Sequence, residues 1–132
     1  MTYADRLCQD YLAALEAADL DGIVALFAPH ANVMSPLYGK MPVRAFYAAL
    51  FRVTTASKTT LRRVFSSADG SVALQFVYEW TMSDGTVATF DVVDVFELDA
   101  AGERIEALTI IYDTAPLRAA HSALAAETPS AG

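Results

Sequence analysis

The chain has 132 residues, 55% of them hydrophobic, with a net charge of −7 and a pI near 4.6. That length makes about one domain with a core of its own. The acidic surplus excludes nucleic acid and anionic membrane surfaces as partners, because both need clustered basic residues and Arg62-Arg63 is the only adjacent basic pair.

The first predicted element is a helix from about Tyr3 to Ala18, with Leu7, Tyr11, Leu12 and Leu15 at helical spacing. Asp19 then caps a short second helix carrying Ile23, Leu26 and Phe27, ended by Pro29. Ala31 to Ser35 reads as a short strand and Pro36 to Met41 as a turn containing Gly39. Pro42 suits the first position of a third helix, whose stripe is Val43, Phe46, Tyr47, Leu50 and Phe51.

After Thr54 the period changes to alternation. Four strands are predicted, about Lys58–Ala68, Ser71–Met82, Val87–Leu98 and Arg104–Thr114, separated by turns at Asp69-Gly70, Ser83-Asp84-Gly85 and Asp99 to Gly102. From Pro116 to about Ala126 the alanine-rich sequence predicts a terminal helix, so that residues 1–126 form a single domain and 127–132 a flexible tail. Three helices followed by a four-stranded antiparallel meander predict an α+β fold in which helices cover the apolar face of a long, curled, cone-shaped sheet.

Cys8, the only cysteine, has no internal disulfide partner and reads as a packing residue on the first helix. With no signal peptide at the start and no stretch long enough to span a bilayer, a cytoplasmic setting is expected. His30 and His121 read as solvated, and no His, Cys, Asp or Glu spacing indicates a metal, so no metal or cofactor is implied.

One residue breaks the pattern. Along Phe90-Asp-Val-Val-Asp-Val-Phe-Glu-Leu98, alternation puts Asp94 on the face of Phe90, Val92, Phe96 and Leu98, while Asp91 and Glu97 point the other way. A carboxyl on an apolar face is neutralised, paired or used. The same parity on the neighbouring strands gives the inner face Phe76, Tyr78 and Trp80, then Leu108, Ile110 and Tyr112.

The order of elements resembles the cone-shaped fold of nuclear transport factor 2, scytalone dehydratase, SnoaL-type cyclases and ketosteroid isomerases. The likeness to ketosteroid isomerases is carried by Tyr11-Leu-Ala-Ala-Leu-Glu-Ala-Ala-Asp-Leu-Asp-Gly-Ile-Val24, by Ala45-Phe46-Tyr47 and by Asp91-Val-Val-Asp-Val-Phe-Glu-Leu-Asp-Ala-Ala-Gly-Glu-Arg-Ile105. In that family a tyrosine and a protonated aspartic acid donate hydrogen bonds to the enolate oxygen, and a further tyrosine supports the first. Position by position, the resemblance makes Tyr11 the phenolic donor, Asp94 the acid donor and Tyr47 the supporting phenol.

It also implies a departure. Where the family carries its aspartate base before a proline, this chain has Ser35-Pro36, and serine has no useful basicity at neutral pH. Phe27 takes the place of a third networked tyrosine. Asp113 is the alternative base, by analogy with the SnoaL-type cyclases, although parity turns it away from Leu108, Ile110 and Tyr112.

The expected ligand is a small apolar carbonyl compound or phenol, steroid-like or polyketide-like. Three functions fit: an isomerase, cyclase or dehydratase working through an enolate; a non-catalytic binding protein for phenolic or ketonic polycycles; or a protein-interaction module. A homodimer is expected through the odd-numbered sheet face, where Val77, Val93, Val95 and Ile111 mix with Gln75, Glu79 and Thr109.

Overall fold

A computed structural model of the chain describes residues 2–115 and Leu117; the expected terminal helix and tail lie outside the described residues. The element order is α1 (Tyr3–Ala17), α2 (Leu20–Val24), β1 (Phe27–Ser35), β2 (Gly39–Pro42), α3 (Val43–Arg52), β3 (Thr54–Ser66), β4 (Val72–Met82), β5 (Val87–Leu98) and β6 (Ile105–Ile111).

α1 begins with a capping box. The Thr2 hydroxyl accepts from the Asp5 N–H at 3.1 Å, and the Asp5 carboxylate accepts from the Thr2 N–H at 3.2 Å. Its buried stripe is Ala4, Leu7, Cys8, Tyr11, Leu12 and Leu15, so the period that predicts the helix is also its packing face. α2 is shorter than its apolar residues suggest. Asp19 caps it by accepting from the Gly22 N–H at 3.0 Å, and a Cβ at Gly22 would meet the carboxylate at 2.2 Å and push the cap aside.

Phe27 belongs to a strand rather than to α2. It opens β1 and pairs with Ile105, and Pro29 sits in an irregular stretch where the register shifts between Phe27 and Asn32. The turn expected after Ser35 contains a strand as well, with Gly39–Pro42 folding back antiparallel on β1. Pro42 is the cap of α3, one position earlier than expected.

β3 to β6 form the expected antiparallel meander, with Gly70 and Gly85 at positive φ in the first two turns. The sheet is nevertheless six-stranded and mixed, in the order β2-β1-β6-β5-β4-β3, because β1 runs parallel to β6 and brings β2 with it. No local alternation announces this pairing. β1 is too irregular for a clean two-residue period and β2 is only four residues long.

At the other edge β3 has β4 as its only strand neighbour among the described residues. The edge is not left bare. The Glu16 carboxylate, on α1, accepts from both the backbone N–H and the hydroxyl of Thr59 at 2.6 Å each. β4 alternates almost without fault between buried and half-exposed residues, so one sheet face is continuous with the core under the helices.

Candidate active site

A cavity opens between α1, α3 and the inner face of the sheet. Tyr11 and Leu15 come from α1 and Phe46, Tyr47 and Leu50 from α3. The sheet supplies Phe76, Tyr78 and Trp80 from β4, Phe90, Val92 and Asp94 from β5, and Ile110 and Tyr112 at the end of β6; Ser35, Leu37 and Tyr38 close the side where β1 turns into β2. Atom-free space amounts to about 520 Å³ including the open mouth, yet only about 50 Å³ admits the centre of a water-sized molecule. The cavity is therefore small.

Register explains the lining. Asp94 lies between Leu74 of β4 and Ile110 of β6, and the next inward-facing rows toward the mouth are Phe76 with Val92 and Tyr78 with Phe90. One pleat the other way, Phe96 lies between Val72 and Leu108. Phe96 and Leu108, expected on the cavity wall, are buried behind it: neither borders the cavity, and Phe96 is instead the floor on which the Tyr11 ring stands edge-on at 5.1 Å. Phe27 likewise packs in the core, 6.2 Å from the Tyr47 ring, and does not reach the cavity.

Asp94 is 1% exposed, and neither of its carboxyl oxygens has a hydrogen-bond partner among the described residues. Burial raises its pKa from 3.8 to about 7, with the adjacent Tyr11 phenol pulling the other way. Tyr11 and Tyr47 share a hydrogen bond of 2.6 Å. Burial first, and the Asp94 charge second, hold both phenols far above their ordinary pKa, so each keeps its proton at neutral pH.

The outer rings are pinned too. The Tyr78 hydroxyl meets Ser57 at 2.8 Å and its pKa is pushed up to about 12, chiefly by burial; Trp80 donates from Nε1 to the Thr54 hydroxyl at 2.8 Å. Burial also raises the Tyr112 phenol.

Ser35 borders the cavity, where its hydroxyl accepts from the Tyr38 N–H at 3.1 Å and holds the turn. Asp113 does not join the site. It lies beyond β6 on the exposed side, where its Oδ1 accepts from the Ala115 N–H at 3.0 Å in the segment after the strand. Cys8 is buried, its thiol pKa pushed up to about 12 by burial, as suits a packing residue.

Leu15, Leu37, Tyr38, Phe46, Leu50 and Phe90 complete the lining. Phe90 shares the parity of Asp94, and Phe46 and Leu50 share the stripe of Tyr47, so that signal was present. Leu37 and Tyr38 stand in a loop with no period to read. No group of three or more His, Cys, Asp or Glu is placed to hold a metal, and no helix is long and apolar enough to cross a membrane, among the described residues.

Residues 8–107 match the SnoaL-like domain family. The chain belongs to that family. With it goes membership of the nuclear transport factor 2-like superfamily, and the solved structures agree. The SnoaL-like chain superposes on PrhC from Penicillium brasilianum with a TM-score of 0.78 at 11% identity, covering 94% of this chain and 89% of that one. For TerC co-crystallised with polyporic acid the values are 0.74, 21%, 94% and 99%. A protein of ketosteroid isomerase-like fold from Catenulispora acidiphila, in complex with trimethylamine, gives 0.71 at 15% identity over 81% of this chain and 85% of that one. At these identities the likeness is one of fold.

Proposed function

We propose that this SnoaL-like protein binds a small apolar carbonyl compound or phenol, and stabilises its enol or enolate, with the ligand oxygen held between Tyr11 and Asp94. The observation that carries this reading is the buried Asp94 carboxyl, without a partner on either oxygen, beside the Tyr11–Tyr47 pair in a cavity of aromatic rings. A buried polar group normally finds its hydrogen bonds within the protein; one that does not is available to a ligand. In this arrangement Tyr47 donates to Tyr11, freeing the Tyr11 proton for the ligand, and Asp94 in its acid form supplies a second donor. Ser35 stands where the related isomerases carry their base and supplies no basicity.

The small cavity favours small ligands over large polycycles. That TerC was co-crystallised with polyporic acid supports a small organic ligand for this fold. The protein-interaction reading gives no reason for an unpaired acid in an apolar cavity, which costs stability and does nothing for an outer surface.

2-Naphthol is a suitable probe, its binding followed by fluorescence. Wild-type protein is expected to bind it, and Tyr11→Phe to weaken binding roughly 10- to 100-fold, the loss of one strong hydrogen bond. No binding by wild type, or equal binding by Tyr11→Phe, overturns the reading.

The outer face of the sheet completes the proposal as a homodimer interface. Val77, Val93 and Val95 are half-buried there and Ile111 is 53% exposed, among Gln75, Glu79 and Thr109. Mixed apolar and polar character of this kind suits an interface. Sedimentation at micromolar concentration is expected to give a dimer; monomer alone rules it out.

A further inference from the structure

The cavity has a second polar end, remote from Asp94. Ile110 of β6 pairs with Asp94, so Tyr112, two residues on, stands about 7 Å nearer the mouth. Its ring packs at 5.0 Å on Phe90, which lies four residues from Asp94 along β5, about 13 Å at the rise of a strand. Tyr38 joins the lining from the turn between β1 and β2, its ring edge-on to Phe46 at 5.8 Å. The two phenols are close enough that, after burial, Tyr38 is the largest influence raising the Tyr112 pKa.

The cavity phenols differ in what they have left to give. The Tyr78 hydroxyl is tied to Ser57 and that of Tyr47 to Tyr11, whereas Tyr112 makes no hydrogen bond among the described residues. Burial keeps the proton on the Tyr112 oxygen, so it serves the cavity as a donor. At Tyr38 the positive charge of Arg52, the last residue of α3, opposes the rise that burial gives the phenol. A donor without a partner, in a region of positive potential, suits an electron-rich oxygen.

Resting on the ligand reading above, we infer that Tyr112 is a second ligand donor and that the cavity takes a two-ended ligand. One oxygen lies between Tyr11 and Asp94; a second, on the far side of the ring system, accepts from the Tyr112 hydroxyl beside Tyr38. The substrate class narrows accordingly to diphenols, hydroxyketones and quinones whose oxygens stand at opposite ends. Because Tyr112 is half-exposed, water serves its hydroxyl when no ligand does. The second contact therefore adds selectivity and orientation without being a condition for binding.

The symmetric 2,6-dihydroxynaphthalene tests this, with 2-naphthol and the equally symmetric 2,3-diol beside it in the same fluorescence titration. Wild-type protein is expected to bind the 2,6-diol roughly 5- to 20-fold more tightly than 2-naphthol, the net gain of one hydrogen bond together with the advantage of two equivalent ends. It is expected to bind the 2,6-diol more tightly than the 2,3-diol, whose oxygens share one end. In Tyr112→Phe, which keeps the ring on Phe90, the ratio of 2,6-diol to 2-naphthol affinity should fall to about twofold, the statistical share alone. Equal binding of the two diols by wild type, or a 2,6-diol advantage of no more than about twofold over 2-naphthol, overturns the second contact without any variant. A wild-type ratio kept by Tyr112→Phe overturns the role of Tyr112. In each of those cases 2-naphthol still binds and the ligand reading stands. Failure of wild type to bind 2-naphthol or either diol defeats the ligand reading and the second contact with it.

Discussion

Asp94→Asn is expected to stabilise the protein at pH 8 by about 2–4 kcal/mol and to flatten its dependence on pH. In the folded chain the Asp94 pKa is raised from 3.8 to about 7, so between those values the native state holds a proton that the unfolded state has released. Stability from this group is therefore greatest below about pH 4, falls as pH rises through that window, and levels off above about 7. Asparagine keeps the shape and never ionises, so it escapes the loss. Urea unfolding of both proteins at pH 5 and pH 8 checks the point: the gap should open toward the higher pH, and a variant less stable than wild type at pH 8 would show that the carboxylate is paired after all. A site residue whose removal strengthens the fold is one whose cost is borne for function.

Phe96→Ala acts in the opposite direction, with an expected loss of about 3–5 kcal/mol. The ring is fully buried and packs in the row of Val72 and Leu108 with Tyr11 standing on it at 5.1 Å, so truncation removes buried area and opens a void in a layer with little room to collapse. The denaturant midpoint should fall without a change in slope, and 2-naphthol affinity should fall as well, because Tyr11 loses the floor that fixes its hydroxyl. A loss under about 1 kcal/mol would mean that neighbouring side chains refill the space, and that Tyr11 is held by Tyr47 alone.

Much of this architecture is legible because β4 and β5 are long enough for parity to be unambiguous. Ten consecutive register pairs keep Phe76, Tyr78 and Trp80 in step with Val92 and Asp94, so a period of two read from residues translates directly into position on one face. Parity specifies the face and not the depth. Phe96 and Leu108 lie on the same face as Asp94 but one row deeper, a distinction set by where the helices rest. The parallel pairing of β1 with β6 is nonlocal and its register breaks between Phe27 and Asn32, so no local pattern announces it. Tyr38 reaches the cavity from the turn between β1 and β2, where its N–H donates to the Ser35 hydroxyl, and a turn has no periodic signature. Asp113 shows parity working in the negative sense, since alternation alone turns it away from the cavity.

The Glu16–Thr59 contact bears on how the protein behaves when crowded. A thirteen-residue border strand is a template on which a foreign strand, or another copy, can continue the sheet indefinitely. Here the outward N–H of Thr59 is already occupied by a carboxylate from the same molecule, and the register slips on both sides of it, between Thr54 and Ala56 and between Leu61 and Arg63. The exposed Lys58, Arg62 and Arg63 along the same border meet their own charge in any second copy approaching edge to edge. Sheet extension along β3 is thus interrupted at Thr59, which disfavours edge-to-edge growth at that point of the border.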